Sequence, residues 1–376
     1  MATDLKQTKN SFKVIGKVTR IDKDGAYKEE VMNKPSSKRH GETYRSLRFG
    51  VQTSDTNTIT VQMFDYEPTE VFLWNSEKRK KDQSYKGDRV PFAQWEANQD
   101  SYREQGYAVL QTRVGLTYGE DGKLQSQGLP SFVAQQEIYN HLDNGDSVVV
   151  EGEIRYSTYE NREGKEVEQK SYNIKKVIKL KKDVDFEDEK FEEVTYFEQE
   201  LVFVGADIDK KEGKAYVTGR VINYDKTFHD TQLVVNFKNE SGEGFDAGMV
   251  KLAEAFAKRF KFGDVINVFG DTLNRVILSE EEAPEDDSAD LFAEFGGKKK
   301  PKHAESFVSR AYVQELTIHG VDAWDKGVYD EDDFVKEELI EKDNPFADEL
   351  GGKSKKKNNP FDIGEDDGIG EDDLPF

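Results

Sequence analysis

The chain has 376 residues, enough for two or three domains, yet only 35% are hydrophobic and 35% are charged, so much of it must be solvated. It contains no Cys and five scattered His, which excludes a disulfide framework and Cys-containing zinc sites and leaves no H-E-x-x-H spacing; no metal or other cofactor is expected. The net charge of −22 is uneven, because residues 1–182 are mildly basic and 201–278 neutral, while the acid excess collects in 183–200, 279–306 and 328–376.

The opening MATDLKQTKN lacks the apolar core of a signal peptide, and no stretch is long and apolar enough for a bilayer span. A soluble, cytoplasmic protein without membrane contact is expected.

In chain order, alternation with one buried face predicts strands at Val14 and Val18, at Leu47, Phe49 and Val51, and at Ile59, Val61 and Met63. Residues 67–130 are a large insertion, long enough to carry function. Phe132, Ile138 and Leu142 then fall on one face of a helix, Val148 and Val150 begin a fourth strand, residues 155–165 form a long hairpin with its turn at Gly164, and Ile174, Ile178 and Leu180 face inward from a fifth. Residues 183–200 read as an acidic linker. Beyond it, residues 217–224 and 231–238 predict two strands, 250–262 a helix, 265–278 and 309–320 two more strands, with an acidic loop at 279–306; the third strand has no candidate.

The two halves repeat one pattern. Gly145-Asp146-Ser147-Val148-Val149-Val150-Glu151-Gly152-Glu153 aligns with Gly263-Asp264-Val265-Ile266-Asn267-Val268-Phe269-Gly270-Asp271, and at the same offset Phe132, Ile138 and Leu142 align with Val250, Phe256 and Phe260. Val14-Ile15-Gly16-Lys17-Val18 also matches Val217-Thr218-Gly219-Arg220-Val221. Five strands with a helix before the fourth resemble the OB-fold, a small Greek-key barrel. The predicted class is therefore mainly β: two tandem OB-fold-like barrels at 1–182 and 201–327, joined by the 183–200 linker and followed by a disordered acidic tail at 328–376.

Single strands are gripped by a basic groove and by aromatic faces on which bases stack. With Leu47, Phe49, Val51, Ile59, Val61 and Met63 inward, the opposite parity presents Tyr44, Arg48, Phe64 and Tyr66 together on an outer face. The insertion adds Trp74, the run Lys78, Arg79, Lys80 and Lys81, Tyr85 and Trp95, with Arg89, Tyr102, Arg103 and Tyr107, an interleaving of bases and rings that suits a flap over a bound strand. The hairpin adds Arg155, Tyr156, Tyr159, Arg162 and Lys165. The second unit offers Arg220, Tyr224, Gln232, Asn236 and Lys238, with Phe228 and His229 in a connection, and a weaker or different binding role is expected of it.

The stretch NGDSVVVEGEIRYSTYENREGKEVEQKSYNIKKV resembles the fourth-strand, hairpin, fifth-strand segment of bacterial-type single-stranded-DNA-binding proteins. The closing Glu371-Asp372-Asp373-Leu374-Pro375-Phe376 is similar to their acidic partner-binding tip, with Leu374 where Ile is usual. The resemblance implies a protein that coats single-stranded DNA in replication, recombination or repair without catalysis. It also implies that Asp372, Asp373, Leu374, Pro375 and Phe376 recruit replication or repair proteins such as a polymerase, helicase, primase or recombination factor. The insertion and the second barrel depart from that family, and the size and tandem arrangement look more like a bacteriophage replication protein. Asn344-Pro345-Phe346 and Asn359-Pro360-Phe361 read either as turn punctuation or as weaker copies of the tip. Two other readings are an acidic decoy that fills a host enzyme's tail pocket or mimics DNA, and a nuclease with Asp271 and Glu280 to Glu282 as metal ligands; the basic run argues against the first and the linker-like context against the second.

Overall fold

The computed structural model describes residues 5–35, 37–160, 166–239, 244–282 and 306–334. The first half contains β1 (Asn10–Thr19), β2 (Tyr27–Val31), β3 (Thr43–Ser54), β4 (Asn57–Tyr66), β5 (Glu70–Asn75), α1 (Ser76–Lys81), β6 (Asp88–Pro91), α2 (Phe92–Ala97), α3 (Gln99–Glu104), β7 (Tyr107–Ala108), β8 (Thr112–Tyr118), β9 (Leu124–Leu129), α4 (Ser131–His141), β10 (Ser147–Glu160) and β11 (Glu166–Lys179). The second contains β12 (Val194–Asp209), β13 (Lys214–Ile222), β14 (Phe228–Asn236), α5 (Ala247–Lys258), β15 (Val265–Glu282) and β16 (Ser306–Asp325).

The first barrel closes through β1, β3, β4, β11 and β10, with β11 parallel to β4 and every other pair antiparallel. Phe12, Val14 and Val18 of β1, the Leu47, Phe49 and Val51 set, the Ile59, Val61 and Met63 set, and Val148 and Val150 are all buried, as a period of two requires. The fifth strand departs from the expected pattern. Ile174 and Val177 are buried, while Ile178 and Leu180 are only half-buried. The cause is a register slip, because Glu151 pairs with Lys176 but Gly152 with Ile174, leaving Lys175 as the extra residue of a bulge. One inserted residue turns every later side chain to the opposite face.

The second barrel repeats this closure with β12, β13, β14, β16 and β15, again with only the third and fifth strands parallel. Its strand assignments differ from the sequence reading. Residues 217–221 lie in the second strand, β13, and the first is β12, so the match of Val217–Val221 with Val14–Val18 is not a structural equivalence. Backbone bonds give the true one. Val18 N–H donates to Asp146 O and Gly145 N–H to Val18 O, both at 2.8 Å; Phe203 N–H donates to Asp264 O at 2.8 Å and Gly263 N–H to Phe203 O at 3.1 Å. Val18 thus corresponds to Phe203. With β12 as the first strand, the strands read at 217–224 and 231–238 become the second and third, β13 and β14, so the strand missing from the sequence reading was the first.

The Gly-Asp repeat itself is structural in detail. Gly145 and Gly263 adopt φ of 90° and 87°, where a side chain would be strained. The following Asp accepts the N–H three residues back in each case, Asp143 N to Asp146 Oδ2 at 2.9 Å and Lys261 N to Asp264 Oδ2 at 3.0 Å. The helix before each turn packs on its barrel through Phe132 and Ile138 of α4 and through Ala253 and Phe256 of α5. Asp246 caps α5 by accepting from Met249 N at 2.8 Å.

The linker is shorter than composition suggests. Residues 194–200, read as part of it, are the start of β12 and pair antiparallel with β1 from Asn10↔Gln199 to Ile15↔Val194. The two barrels therefore share one continuous sheet. A polar cluster reinforces the joint, in which Glu193 Oε1 accepts from Thr53 Oγ1 at 2.6 Å and Asn57 Nδ2 at 2.8 Å, while Asn57 Oδ1 accepts from Asn274 N at 2.8 Å. The tail boundary also moves. Residues 328–334, assigned by composition to the tail, dock on the second barrel, where Tyr329 and Phe334 bury their rings with Leu5, Val202 and Ile222. Arg220, held in a fork by Asp230 at 2.6 and 2.9 Å, lies over the Phe334 ring at 4.6 Å.

The insertion folds in two parts. β5, β6 and β7 make a small separate sheet, whereas β8 pairs parallel with β11 and β9 pairs antiparallel with β8, extending the main sheet.

Candidate nucleic-acid interface

β3 and β4 are the second and third strands of the first barrel, the pair whose outer face an OB-fold offers to oligonucleotides. Across their ladder Tyr44 pairs with Tyr66, Ser46 with Phe64 and Arg48 with Gln62. The rings form one cluster, with centroids 5.2 Å apart for Tyr44 and Phe64, 5.3 Å for Phe64 and Tyr66, and 6.0 Å for Tyr44 and Tyr66. Their roles differ. Tyr44 is only 7% exposed, and its hydroxyl donates to Glu30 of β2 at 2.6 Å, so it is the floor of the cluster rather than a stacking surface. Phe64 and Tyr66 are half-buried, and Arg48 is exposed.

Charge converges on the same end of β4. Arg39, from the loop joining β2 and β3, lies over the Tyr66 ring at 4.6 Å. Burial raises the Asp65 carboxyl above its ordinary pKa, opposed by the Tyr66 N–H bond and by the charges of Arg39, Arg155 and Lys175. Three separate elements thus bring cations to one carboxylate beside the rings. Parallel pairing of Asn173 with Gln62 joins β11 to this face, and Arg155 pairs with Ser171 one strand further on. Alternation alone missed Arg39 and Lys175. The first had a signal in Lys38-Arg39-His40, a basic run between Ser and Gly in the connection from first to second strand; the second is the extra residue of the bulge, half-buried and 3.7 Å from Glu153.

The insertion's rings and bases mostly serve its own structure. Trp95 is 3% exposed and stacks on Phe92, so it is core, because α2 packs it against β5 and β6 of the insertion. Trp74 and Tyr85 pack together at 5.6 Å. In α1, Lys78 bonds Asp88 at 3.0 Å, and the Tyr107 hydroxyl with that carboxylate holds its ammonium above the usual pKa. Arg79 donates to the backbone oxygens of Gln83 and Tyr85, and Lys80 pairs with Glu77 at 2.7 Å. Lys81 is exposed. The four-residue cationic run in the sequence is therefore a short helix in which Lys78 and Lys80 pair with nearby carboxylates and Arg79 is tied to backbone oxygens.

In the hairpin, Arg155 is exposed, but Tyr156 is 6% exposed and donates to Gln199 Oε1 at 3.0 Å. Tyr156 belongs to the joint between the barrels, since its parity on β10 points inward. The Tyr159 side chain, Arg162 and Lys165 lie outside the described residues, as do Asp372, Asp373, Leu374, Pro375 and Phe376. Among the described residues no group of three or more His, Cys, Asp or Glu could hold a metal ion, and no helix is long and apolar enough to cross a membrane.

No curated protein matches the chain. Among solved structures, a mutant single-stranded DNA binding protein from Thermus aquaticus is similar at 14% identity and a TM-score of 0.31, over 71% of this chain and 88% of that one. At that score the barrel assignment rests on the strand pairing given above and not on the superposition. The YorF family model matches residues 86–346, a span that begins within the insertion, takes in β10 and β11 of the first barrel and covers the strands of the second, but leaves out β1, β3 and β4. The chain belongs to the YorF family.

Proposed function

We propose that the first barrel binds single-stranded DNA on the outer face of β3 and β4, without catalysis. The observation that carries this reading is the cluster of Tyr44, Phe64 and Tyr66 beside Arg39, Arg48, Arg155 and Lys175 on the second and third strands of a closed five-stranded barrel. Phe64 and Tyr66 supply ring faces, on which stacking contributes about 1–3 kcal/mol per base, and the cations supply the salt-sensitive attraction to phosphates. Coating of replication, recombination or repair intermediates follows from sequence-tolerant binding of this kind. Recruitment of replication or repair proteins is proposed from the sequence of residues 371–376 alone, where acids precede Leu374, Pro375 and Phe376. Pro375 reduces the freedom lost on docking, and the acids steer toward a basic partner.

The test is fluorescence titration of the full chain with oligo-dT, duplex DNA and RNA at several salt concentrations. Tight, salt-sensitive binding of the DNA single strand over the duplex supports the reading; equal affinity for duplex overturns it.

A further inference from the structure

The turn between β13 and β14 presents Tyr224 to solvent with 86% of its surface exposed, the highest value for a large hydrophobic side chain among the described residues. The turn beneath it is rigid. Asn223 N donates to Thr227 O at 2.8 Å and Lys226 N to Asn223 O at 3.0 Å. Asp225 Oδ1 accepts from Thr227 N at 3.1 Å and Thr227 Oγ1 at 2.6 Å, and Asn223 Nδ2 donates to Thr227 Oγ1 at 3.0 Å. Lys226 adopts φ of 65°, a left-handed conformation uncommon for a lysine, within this bonded turn. An apolar ring is thus held out in water on a stiff support.

Its location gives the ring a use. The turn is bonded to β10 of the first barrel, with Asn223 Nδ2 donating to Tyr156 O at 3.3 Å and Thr158 Oγ1 bonded to His229 Nδ1 at 2.9 Å. Tyr156 is the residue after Arg155, the last cation of the face described above. The second barrel therefore holds the turn that carries Tyr224 against β10, next in the chain to Arg155, so a single strand continuing past Arg155 would run toward this turn. We infer that Tyr224 is a base-stacking residue for single-stranded DNA, extending the site of the first barrel onto the second. The inference rests on the first-barrel reading. It fits a ligand with an exposed π face and no demand for hydrogen-bond readout, because a tip ring offers stacking and little else. Rigidity at the joint adds to this, since the ring is already in position and little ordering is lost on contact.

The experiment uses the full chain with Tyr224→Ala, Tyr224→Trp and Phe64→Ala. Labelled oligo-dT of about 8 and about 30 nucleotides, within and beyond the span of one barrel, is titrated by anisotropy. Oligonucleotides carrying 5-iodouridine are also photo-crosslinked and the adducts mapped. Tyr224→Ala should weaken binding of the long oligonucleotide about tenfold and leave the short one unchanged, Tyr224→Trp should restore it, and a crosslink should map to residue 224. Unaltered melting checks that the exposed substitution leaves the fold intact. If Phe64→Ala weakens binding while Tyr224→Ala has no effect at either length and no crosslink reaches the turn, this inference is overturned and the first-barrel reading stands. If the unmodified chain binds neither oligonucleotide, the first-barrel reading fails and this one with it.

Discussion

Gly152 and Gly270 occupy the same point of the two barrels: a β-carbon on Gly152 would come within 2.0 Å of the Asn173 carbonyl oxygen, and one on Gly270 within 1.8 Å of that of Thr317. Each sits at the bulge where the fourth strand presses against the fifth. No side chain fits there without parting the strands. Gly152→Ala and Gly270→Ala should each destabilise by about 1–3 kcal/mol or more, as overpacking against backbone does. Urea denaturation measures this, and an unshifted midpoint would refute it.

The half-buried rings separate binding from folding. Phe64→Ala and Tyr66→Ala should each weaken single-strand binding by about 1–3 kcal/mol. Phe49→Ala, at a fully buried ring of the same sheet, should instead cost about 3–5 kcal/mol of stability. Loss of cooperative melting in Tyr66→Ala would mean the ring is core.

Asp264 carries a pH dependence whose sign is fixed by its bonds. Burial works to raise its pKa, but N–H groups of Lys261, Gly327 and the Trp324 ring, at 3.0, 2.8 and 3.0 Å, together with the Lys326 charge, hold it below the ordinary 3.8. A carboxyl lowered on folding stabilises fully above its unfolded pKa and loses that contribution as pH falls through the folded value. Asp264→Asn should therefore be less stable at neutral pH by about 1–3 kcal/mol, with the gap closing below pH 3.8. Denaturation at a series of pH values checks it; a gap independent of pH would show that the charge is not involved.

The docked segment 328–334 predicts two different truncations. Removing residues 335–376 should leave melting unchanged and, by deleting acids that compete with phosphates, tighten DNA binding at low salt. Removing 328–376, or changing Phe334 to Ala, should lower stability by about 3–5 kcal/mol, because Phe334 is only 7% exposed and anchors a cluster that includes Leu5. Equal melting of the two truncated chains would contradict this.

Alternation and repeat reading carried the sequence far where each strand has one buried face. Phe49 with Val51, and Val61 with Met63, gave the barrel walls and the outer parity of Phe64 and Tyr66. The Gly-Asp repeat was visible because left-handed φ and a self-capping Asp both need particular residue types. β12 was hidden by its outward charges, since Glu198 and Glu200 made a strand look like linker, although Glu198 accepts from Asn267 and Glu200 from the Lys9 N–H. Ile178 misled because nothing on β11 itself announces the extra residue at Lys175; the residue that marks the bulge, Gly152, lies on the partner strand. Trp95 and Tyr156 looked like ligand contacts for the reason that large rings suit cores and stacking alike; only burial separates the two uses. Charge runs mislead similarly, because Lys78 finds Asp88 and Arg79 the oxygens of Gln83 and Tyr85 ten residues or less along the chain.

The pairing of β1 with β12 bears on how this protein stays apart from its neighbours. Along residues 12–15, β1 uses one side for β10 and the other for β12. A first barrel severed before residue 194 would show that second side as a row of bare N–H and C=O groups next to Phe12 and Val14, a template for any other strand. The duplicated domain shields its twin from aggregation, and a protease cutting the acidic connection would leave two halves clamped by their shared sheet instead of releasing a sticky fragment.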